Sequence, residues 1–507
     1  MACKEPKIQE GLEWERRIWG VKPRWKKEPD IGIIQNIAQT HLISLTSDHN
    51  IQSGVEFFGQ GAFNKLYKIT SPAGVFIMRV SLPVDPRYKT LSEVCTLDFV
   101  RANTDIPVAR VFAFDNDNSN ELGFEWILME MVPGNTLESR WRKLSWEAKQ
   151  SLTKRIAHFQ AQLFGLPFRG IGNIYEKDTK GASSVLPIPK PESRFFVSRI
   201  VSMFFFWEKR LRWNIPRGPF KRSRDWLDAR LDLLSRDQDG IVARIRKKTA
   251  NRLPEHSQNI EQPEPHEVDE KAVNSGKDML RPDLDDDDDV SEVDSEDEDR
   301  IYDAEKIKCL VEKLRVMLDR VFPGSKTTEA DEEQEASILF HDDLNFHNVL
   351  VDDSGNITAV IDWECVSTLP LWRACQLPSF LGDQDRLERP NRQDYGEATE
   401  SDLENDERAE DDHLDSEGMG IVYWEHLLEW EQTQLRQIFL EEMGTIEPRW
   451  LEEHKHGIDK AEFEQAILYC DDNHSAVAKW IEQYEKGNTR SMAKLLEYGG
   501  IESSSSV

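Results

Sequence analysis

The chain carries only six cysteines in 507 residues, Cys3, Cys95, Cys309, Cys365, Cys375 and Cys470, and none sits at a metal-type spacing from another. That usage excludes a zinc ribbon and a disulfide scaffold, and it fits a reducing intracellular compartment. Long apolar runs are also missing. The most apolar stretch, residues 195–207, is broken by Arg199 and is too short to cross a bilayer, so no integral membrane association is expected. A packed aromatic helix is expected there instead. Residues 1–10 alternate charge around no apolar core, which argues against a secretory leader. Arg16, Arg17, Lys22, Arg24, Lys26 and Lys27 keep a mitochondrial address open, but the acids among them favour the cytoplasm. Basic charge is in deficit as well: 64 Lys and Arg face 94 Asp and Glu, for a formal net charge of −30. A phosphate backbone needs clustered cations, so no nucleic-acid partner is expected.

The acidity is concentrated. Residues 281–300 hold twelve acids and two arginines, and residues 383–415 hold fourteen acids and four arginines. Such stretches bury too little apolar surface to offset chain entropy, so residues 249–300 and 383–415 are expected to be disordered insertions. The rest alternates between two patterns. Residues 1–50 form an extension with a leading helix at 30–46. Residues 51–132 read as a small β-rich lobe, with strands near 55–58, 65–69, 75–80 and 124–131 and a helix over 91–101. Residues 133–248 and 301–382 read as a larger helical lobe. In it Leu152, Ile156, Phe159 and Leu163 share one helical face, as do Ile307, Leu310, Val311, Leu314 and Leu318. Residues 416–500 are helical, and 501–507 are a frayed tail. The expected fold class is α+β, two-lobed, with a cleft at the join where ligands commonly bind.

The most informative string is residues 339–352, whose centre reads His341-Asp342-Asp343-Leu344-Asn345-Phe346-His347-Asn348. It fits H-x-D-L-x-x-x-N, the spacing of a kinase catalytic loop. Phosphoryl transfer needs a carboxylate to orient an attacking hydroxyl and accept its proton. It also needs oxygen ligands for the magnesium ions that neutralise the moving phosphate. Asp343 suits the first task and Asn348 the second. A hairpin follows, with strands at 349–351 and 357–361 around a turn at 353–356, and its far end delivers Asp362-Trp363-Glu364. A hairpin of that length returns the chain beside its start, so Asp362 reaches the same metal site as Asn348.

The first lobe supplies candidate nucleotide contacts. Gly59-Gln60-Gly61-Ala62-Phe63-Asn64 begins like a phosphate-covering loop, with Asn64 where a third glycine would stand; asparagine tolerates positive φ. Residues 76–80 place Arg79 at the position of a kinase strand lysine, and Glu93 is its natural partner. Residues 130–134 would be the hinge, with backbone groups near Glu130 to Val132 facing an adenine. Residues 204–207 and 217–220 either line an acceptor pocket or pack in the core.

Together these residues resemble the aminoglycoside phosphotransferase family, in particular its fungal branch, over roughly residues 57–381. The resemblance is carried by 341–352 and by Ile361-Asp362-Trp363-Glu364-Cys365 through Leu371-Trp372-Arg373. It implies a protein-kinase-like fold, ATP and Mg2+ as cofactors, and transfer of a phosphoryl group to a small-molecule hydroxyl. By position it makes Asp343 the base and Asn348 with Asp362 the magnesium ligands. Bacterial members read His-Gly-Asp-Leu-His-Pro-Gly-Asn, so Asp342, Asn345 and His347 are departures. Of the two adjacent acids, the spacing to Asn348 selects Asp343. A pseudokinase or nucleotide-binding scaffold is the competing reading, favoured by Asn64, Arg79 and the acidic insertions.

Overall fold

Successive residues of the strand Gly74–Ser81 point to opposite faces of a sheet, and both faces are covered. Phe76, Met78 and Val80 are buried with Ile34, Ile37, Ala38 and Leu42 of the helix Ile31–Thr46. Asp30 caps that helix, its Oδ1 accepting from the N–H groups of Gly32 and Ile33 at 2.8 and 3.1 Å. The other face carries Arg79 and Ser81 toward the cleft and the helix Tyr88–Asn103. The computed structural model describes residues 9–17, 20–46, 53–177, 194–250, 295–323, 334–396, 417–488 and 491–496.

The first lobe is an antiparallel sheet of five strands, in the order Gly54–Gln60, Asn64–Ser71, Gly74–Ser81, Glu125–Glu130, Val111–Asp115. A hairpin, Leu12–Arg17 with Gly20–Trp25, lies ahead of it and was not expected from the sequence. Leu12, Trp14 and Trp25 join Phe63 and Phe206 in a small cluster of their own. The chain leaves the lobe through Gly134, whose φ is +135°. An added Cβ there would lie 2.3 Å from Thr358 Oγ1, so the exit from the hinge runs against the hairpin that follows the catalytic loop. Residues Asn135–Thr136 then pair with Val349–Val351, which pairs with Ile357–Val360.

The second lobe is mainly helical. Trp146–Phe164, Ser223–Ala250, Ser295–Val321, Ile421–Ile446, Pro448–Leu468 and His474–Glu485 are its long helices. Ser145 caps the first of these by accepting from Ala148 N–H. Leu152, Ile156, Phe159 and Leu163 are buried as the helical spacing predicts, and so are Ile307, Leu310, Val311, Leu314 and Leu318. One apolar cluster runs from Leu91 to Leu495 and includes Phe439, Trp450, Phe463 and Trp480. The result is the expected α+β, two-lobed, protein-kinase-like arrangement.

Several expectations fail locally. Residues 195–207 are not one helix: Phe195–Ser198 is a strand paired with Asn173–Glu176, and only Met203–Phe206 is helical. The run is apolar at nearly every position, so no period distinguishes the two states. The helices reach Ala250 and begin again at Ser295, inside the range assigned to the first acidic insertion; residues 251–294 lie outside the described ones. Glu296, Asp297 and Glu298 occupy the first helical turn, where the helix dipole favours acids. Residues 383–396 of the second insertion are placed against the helix Ile421–Ile446, with Arg386 Nε 2.8 Å from Glu429 and Asp385 2.7 Å from Arg436. Residues 397–416 and the tail 501–507 lie outside the described residues.

Candidate active site

Two strands aim the catalytic loop. Ala336–Phe340 leads into it, and Ser367–Pro370, paired with that strand, leaves it. Between them Ile361 N–H donates to Asn348 O at 3.0 Å, which sets Asp362 beside Asn348 as the hairpin length predicts. Asp343 is exposed, and its carboxylate is held on both oxygens. Asn345 Nδ2 donates to Oδ1 at 2.7 Å and Asn348 Nδ2 to Oδ2 at 2.9 Å. Asn345 also turns the loop, its Oδ1 accepting from His347 and Asn348 N–H. Asp343, and not Asp342, is thus the acid that both asparagines orient. His341 Nε2 lies 3.0 Å from Ile361 O, and because a carbonyl only accepts, that nitrogen carries the proton.

Asp362 has φ +63°, an uncommon conformation for a non-glycine residue and one that clusters at functional sites. Its Oδ1 accepts from Arg79 Nη2 at 3.1 Å, and its side chain is 38% exposed toward the cleft. Hard oxygens from Asn348 and Asp362 suit a magnesium ion, which takes one or two protein ligands and completes its shell with phosphate and water. No cluster of three or more His, Cys, Asp or Glu able to cage a metal occurs among the described residues.

Arg79 meets Glu93 as expected, Nη1 to Oε1 at 2.8 Å, but it does not stand open to the cleft. It is only 8% exposed, and its Nη2 also contacts Glu364 Oε2 at 2.5 Å. Lys89, 1% exposed, reaches the same Glu364 oxygen at 2.5 Å. Asn64 closes the group: its Nδ2 donates to Glu364 at 2.9 Å, and its Oδ1 accepts from Ser81 Oγ at 2.8 Å and Lys89 Nζ at 3.1 Å. Asn64 is not a glycine substitute at positive φ; it lies in a strand and uses both ends of its amide as a bridge between the lobes.

Two buried cations here face three carboxylates. Burial alone would raise the Glu364 carboxyl, but Arg79 and Lys89 outweigh it and hold the group down at about 2. Burial pushes Glu93 up in spite of Arg79 and Lys89. Asp362 is also raised, first by burial and then by the Glu364 charge. The negative charge of the cluster is thus shared unequally: Glu364 is firmly ionised, and the other two are the ones most easily neutralised by a proton or a metal.

Lys89 and Glu364 have no place among the site residues expected from the sequence. One signal was available: Lys89 lies four residues before Glu93 and so shares its helical face. At Gly59 and Gly61 an added Cβ would meet nothing within 4 Å, so the space above both is open. Glu130 N–H is spent on Arg110 O at 2.9 Å within the first lobe, and Val132 lies two residues beyond the end of the last strand, half-buried. Phe205, Phe206 and Phe220 are buried in the core, and Arg217 is buried too, donating to Arg210 O. Phe204, Trp207, Gly218 and Pro219 of the same two clusters are half-buried.

The phosphotransferase enzyme family (APH) matches residues 54–373, and the chain belongs to it. A subtelomeric hrmA-associated cluster protein of Aspergillus fumigatus is 26% identical over 335 residues, 63% of this chain and 59% of that protein. Altered inheritance of mitochondria protein 9, mitochondrial, of Debaryomyces hansenii is 24% identical over 404 residues, 75% of this chain and 57% of that protein. The chain thus spans under two thirds of the length of these curated relatives. Among solved structures, the gentamicin complex of aminoglycoside phosphotransferase APH(2'')-IIa aligns over 93% of this chain and 96% of its own, at 11% identity and a TM-score of 0.37. A thermostable mutant of aminoglycoside phosphotransferase APH(4)-Ia in ternary complex with ADP and hygromycin B covers 91% and 98%, at 12% identity and a TM-score of 0.34. No described helix is long and apolar enough to cross a membrane.

Proposed function

We propose that the chain transfers the γ-phosphoryl group of ATP to a hydroxyl of a small molecule. The observation that carries this reading is the Asp343 carboxylate, exposed and fixed on both oxygens by Asn345 and Asn348 beside Asp362. Asp343 orients the acceptor hydroxyl and takes its proton as the new oxygen–phosphorus bond forms. The bond from the γ-phosphorus to the bridging oxygen breaks, and ADP leaves. Asn348 Oδ1 and the Asp362 carboxylate would hold magnesium, which supplies charge neutralisation for the triphosphate. Gly59 and Gly61 leave room for phosphates, and the chain near Glu130 and Val132 borders the adenine. Arg79 acts through Asp362 and Glu93: it positions the metal-binding carboxylate more than it contacts phosphate. The name of the D. hansenii relative favours the mitochondrion over the cytoplasm as the compartment, and imaging of the tagged full chain decides between them.

The test is ATP consumption by the purified chain against a library of hydroxyl-bearing metabolites, with Asp343→Asn as control. Turnover with at least one acceptor, lost in Asp343→Asn while the variant stays folded, is expected; equal turnover in the variant refutes the assignment of the base.

A scaffold without turnover is the second reading, favoured by the engagement of both Arg79 and Lys89 with carboxylates. With its acids ionised the cluster repels a bare triphosphate, so catalysis requires nucleotide affinity that rises steeply with Mg2+. Calorimetric titration of ADP with and without Mg2+ separates the two: affinity that does not depend on metal supports the scaffold.

A further inference from the structure

A cavity of about 30 Å3 lies directly behind the catalytic loop, walled mostly by apolar side chains such as Val360, Trp363 and Ala374. Three polar residues also line it: Gln160 of the helix Trp146–Phe164, His341 of the loop, and Trp450 of the helix Pro448–Leu468. They are 8%, 6% and 0% exposed. Each has one buried polar atom without a protein partner: Gln160 Oε1, His341 Nδ1 and Trp450 Nε1. Buried polar groups are almost always hydrogen-bonded, so three unpartnered atoms on residues that line one small cavity point to a shared partner.

Their chemistry is complementary to one molecule. His341 Nε2 is the protonated nitrogen, so in the neutral ring Nδ1 is an acceptor. Gln160 Oε1 is a second acceptor, and the Trp450 indole N–H is a donor. A water has two protons to give and lone pairs to receive, and about 10–15 Å3 of such space holds one. We propose that this cavity binds an internal water that donates to His341 Nδ1 and Gln160 Oε1 and accepts from Trp450 Nε1. Through it Trp450 becomes a positioning residue for the catalytic loop.

The link continues on both sides. His341 binds Ile361 O, and Ile361 binds Asn348 and adjoins Asp362. The Trp450 ring stacks on His454, with centroids 5.3 Å apart and planes 12° apart, and His454 Nδ1 is 2.8 Å from Cys375 O. Trp450 lies outside the family segment, residues 54–373, so the C-terminal helices hold part of the machinery that the family segment does not contain. The water stands on the cavity alone; the positioning role rests also on the phosphotransferase reading.

The test pairs a crystal structure with a binding measurement on the full chain. Density for a water within hydrogen-bond distance of all three atoms is expected. A dry cavity overturns the proposal, and so does a Gln160 amide turned to donate directly to His341. For the positioning role, ADP affinity is measured with Mg2+ in wild type, Trp450→Phe and Gln160→Met. The second variant is close in shape to the wild-type residue and covers the case in which Trp450→Phe fails to fold. A loss of about tenfold in Mg2+-dependent affinity is expected, the scale on which groups supporting metal ligands act. Wild-type affinity retained in a folded variant overturns the positioning role and leaves the phosphotransferase reading intact. Absence of Mg2+-dependent binding in the wild type removes both, while the water is still decided by the density.

Discussion

Glu364→Gln is the most informative single perturbation of the cluster. In wild type one Glu364 oxygen receives Arg79 and Lys89 at 2.5 Å each and Asn64 at 2.9 Å. Glutamine keeps the shape and removes the charge. Arg79 retains Glu93 and Asp362, but Lys89, fully buried, loses its carboxylate contact and keeps neutral amide oxygens, that of Asn64 at 3.1 Å and that of the new glutamine. Breaking a buried ion pair from one side costs about 3–5 kcal/mol. The depression of the Glu364 carboxyl from 4.5 to about 2 corresponds to about 3 kcal/mol at roughly 1.36 kcal/mol per unit, which agrees. Urea unfolding at pH 7 should show that loss as a lower midpoint with an unchanged slope. A depressed carboxylate contributes stability above its ordinary value and loses it as pH falls through its folded value. The gap between variant and wild type should therefore narrow as pH falls from 4.5 toward 2. Lys89→Met added to Glu364→Gln should cost less than the two single changes together, because the second removes the stranded charge. A variant within about 0.5 kcal/mol of wild type, the ordinary range of surface changes, would refute the account of the cluster.

Glu125 behaves in the opposite sense: burial pushes its carboxyl up to about 7, despite its bond from Arg87 N–H at 2.6 Å. Its stabilising contribution is complete below 4.5 and is lost as pH rises through 7, so Glu125→Gln should match wild type at pH 4 and exceed it by up to about 3 kcal/mol at pH 9. Equal urea midpoints at pH 9 would count against this. Gly134→Ala forces a Cβ to within 2.3 Å of Thr358 Oγ1 at φ +135°, and should cost about 2 kcal/mol while weakening Mg2+–ADP binding by displacing the hinge from the hairpin. Tight binding in a folded Gly134→Ala protein would show that hinge and hairpin move independently. Asp362→Ala should abolish Mg2+-dependent affinity yet stay folded, since the side chain is half-exposed; metal-dependent binding that survives it would move the metal elsewhere.

What the sequence made legible was local. Asp343, Asn348 and Asp362 lie within a loop and one hairpin, so their spacing already fixes which atoms can meet. Arg79 with Glu93 was legible for a similar reason, as a strand followed by a helix. The Asn64–Lys89–Glu364 group was not, because the shared helical face of Lys89 and Glu93 suits an exposed pair equally well, and the Glu364 partner comes from the far lobe. The segment 195–207 failed for want of a period. The helix at Ser295 was hidden because the acids that suit its dipole also look like the end of a solvated run. Trp450 could be read as core, but its orphan indole N–H and the cavity facing it are properties of packed helices, which no spacing along the chain records.

Asn64 and Glu364 are 300 residues apart in sequence. During synthesis at about 5–20 residues per second, roughly 15–60 s separate the emergence of the two. For that interval the first lobe contains Lys89 without the Glu364 carboxylate it contacts in the finished protein, while Arg79 has Glu93 alone. Lys89, in the first turn of the helix beginning at Tyr88, should therefore stay solvated until the second lobe arrives. A nascent chain arrested before residue 364 should expose Lys89 to amine-reactive labelling, and one arrested well beyond it should protect it.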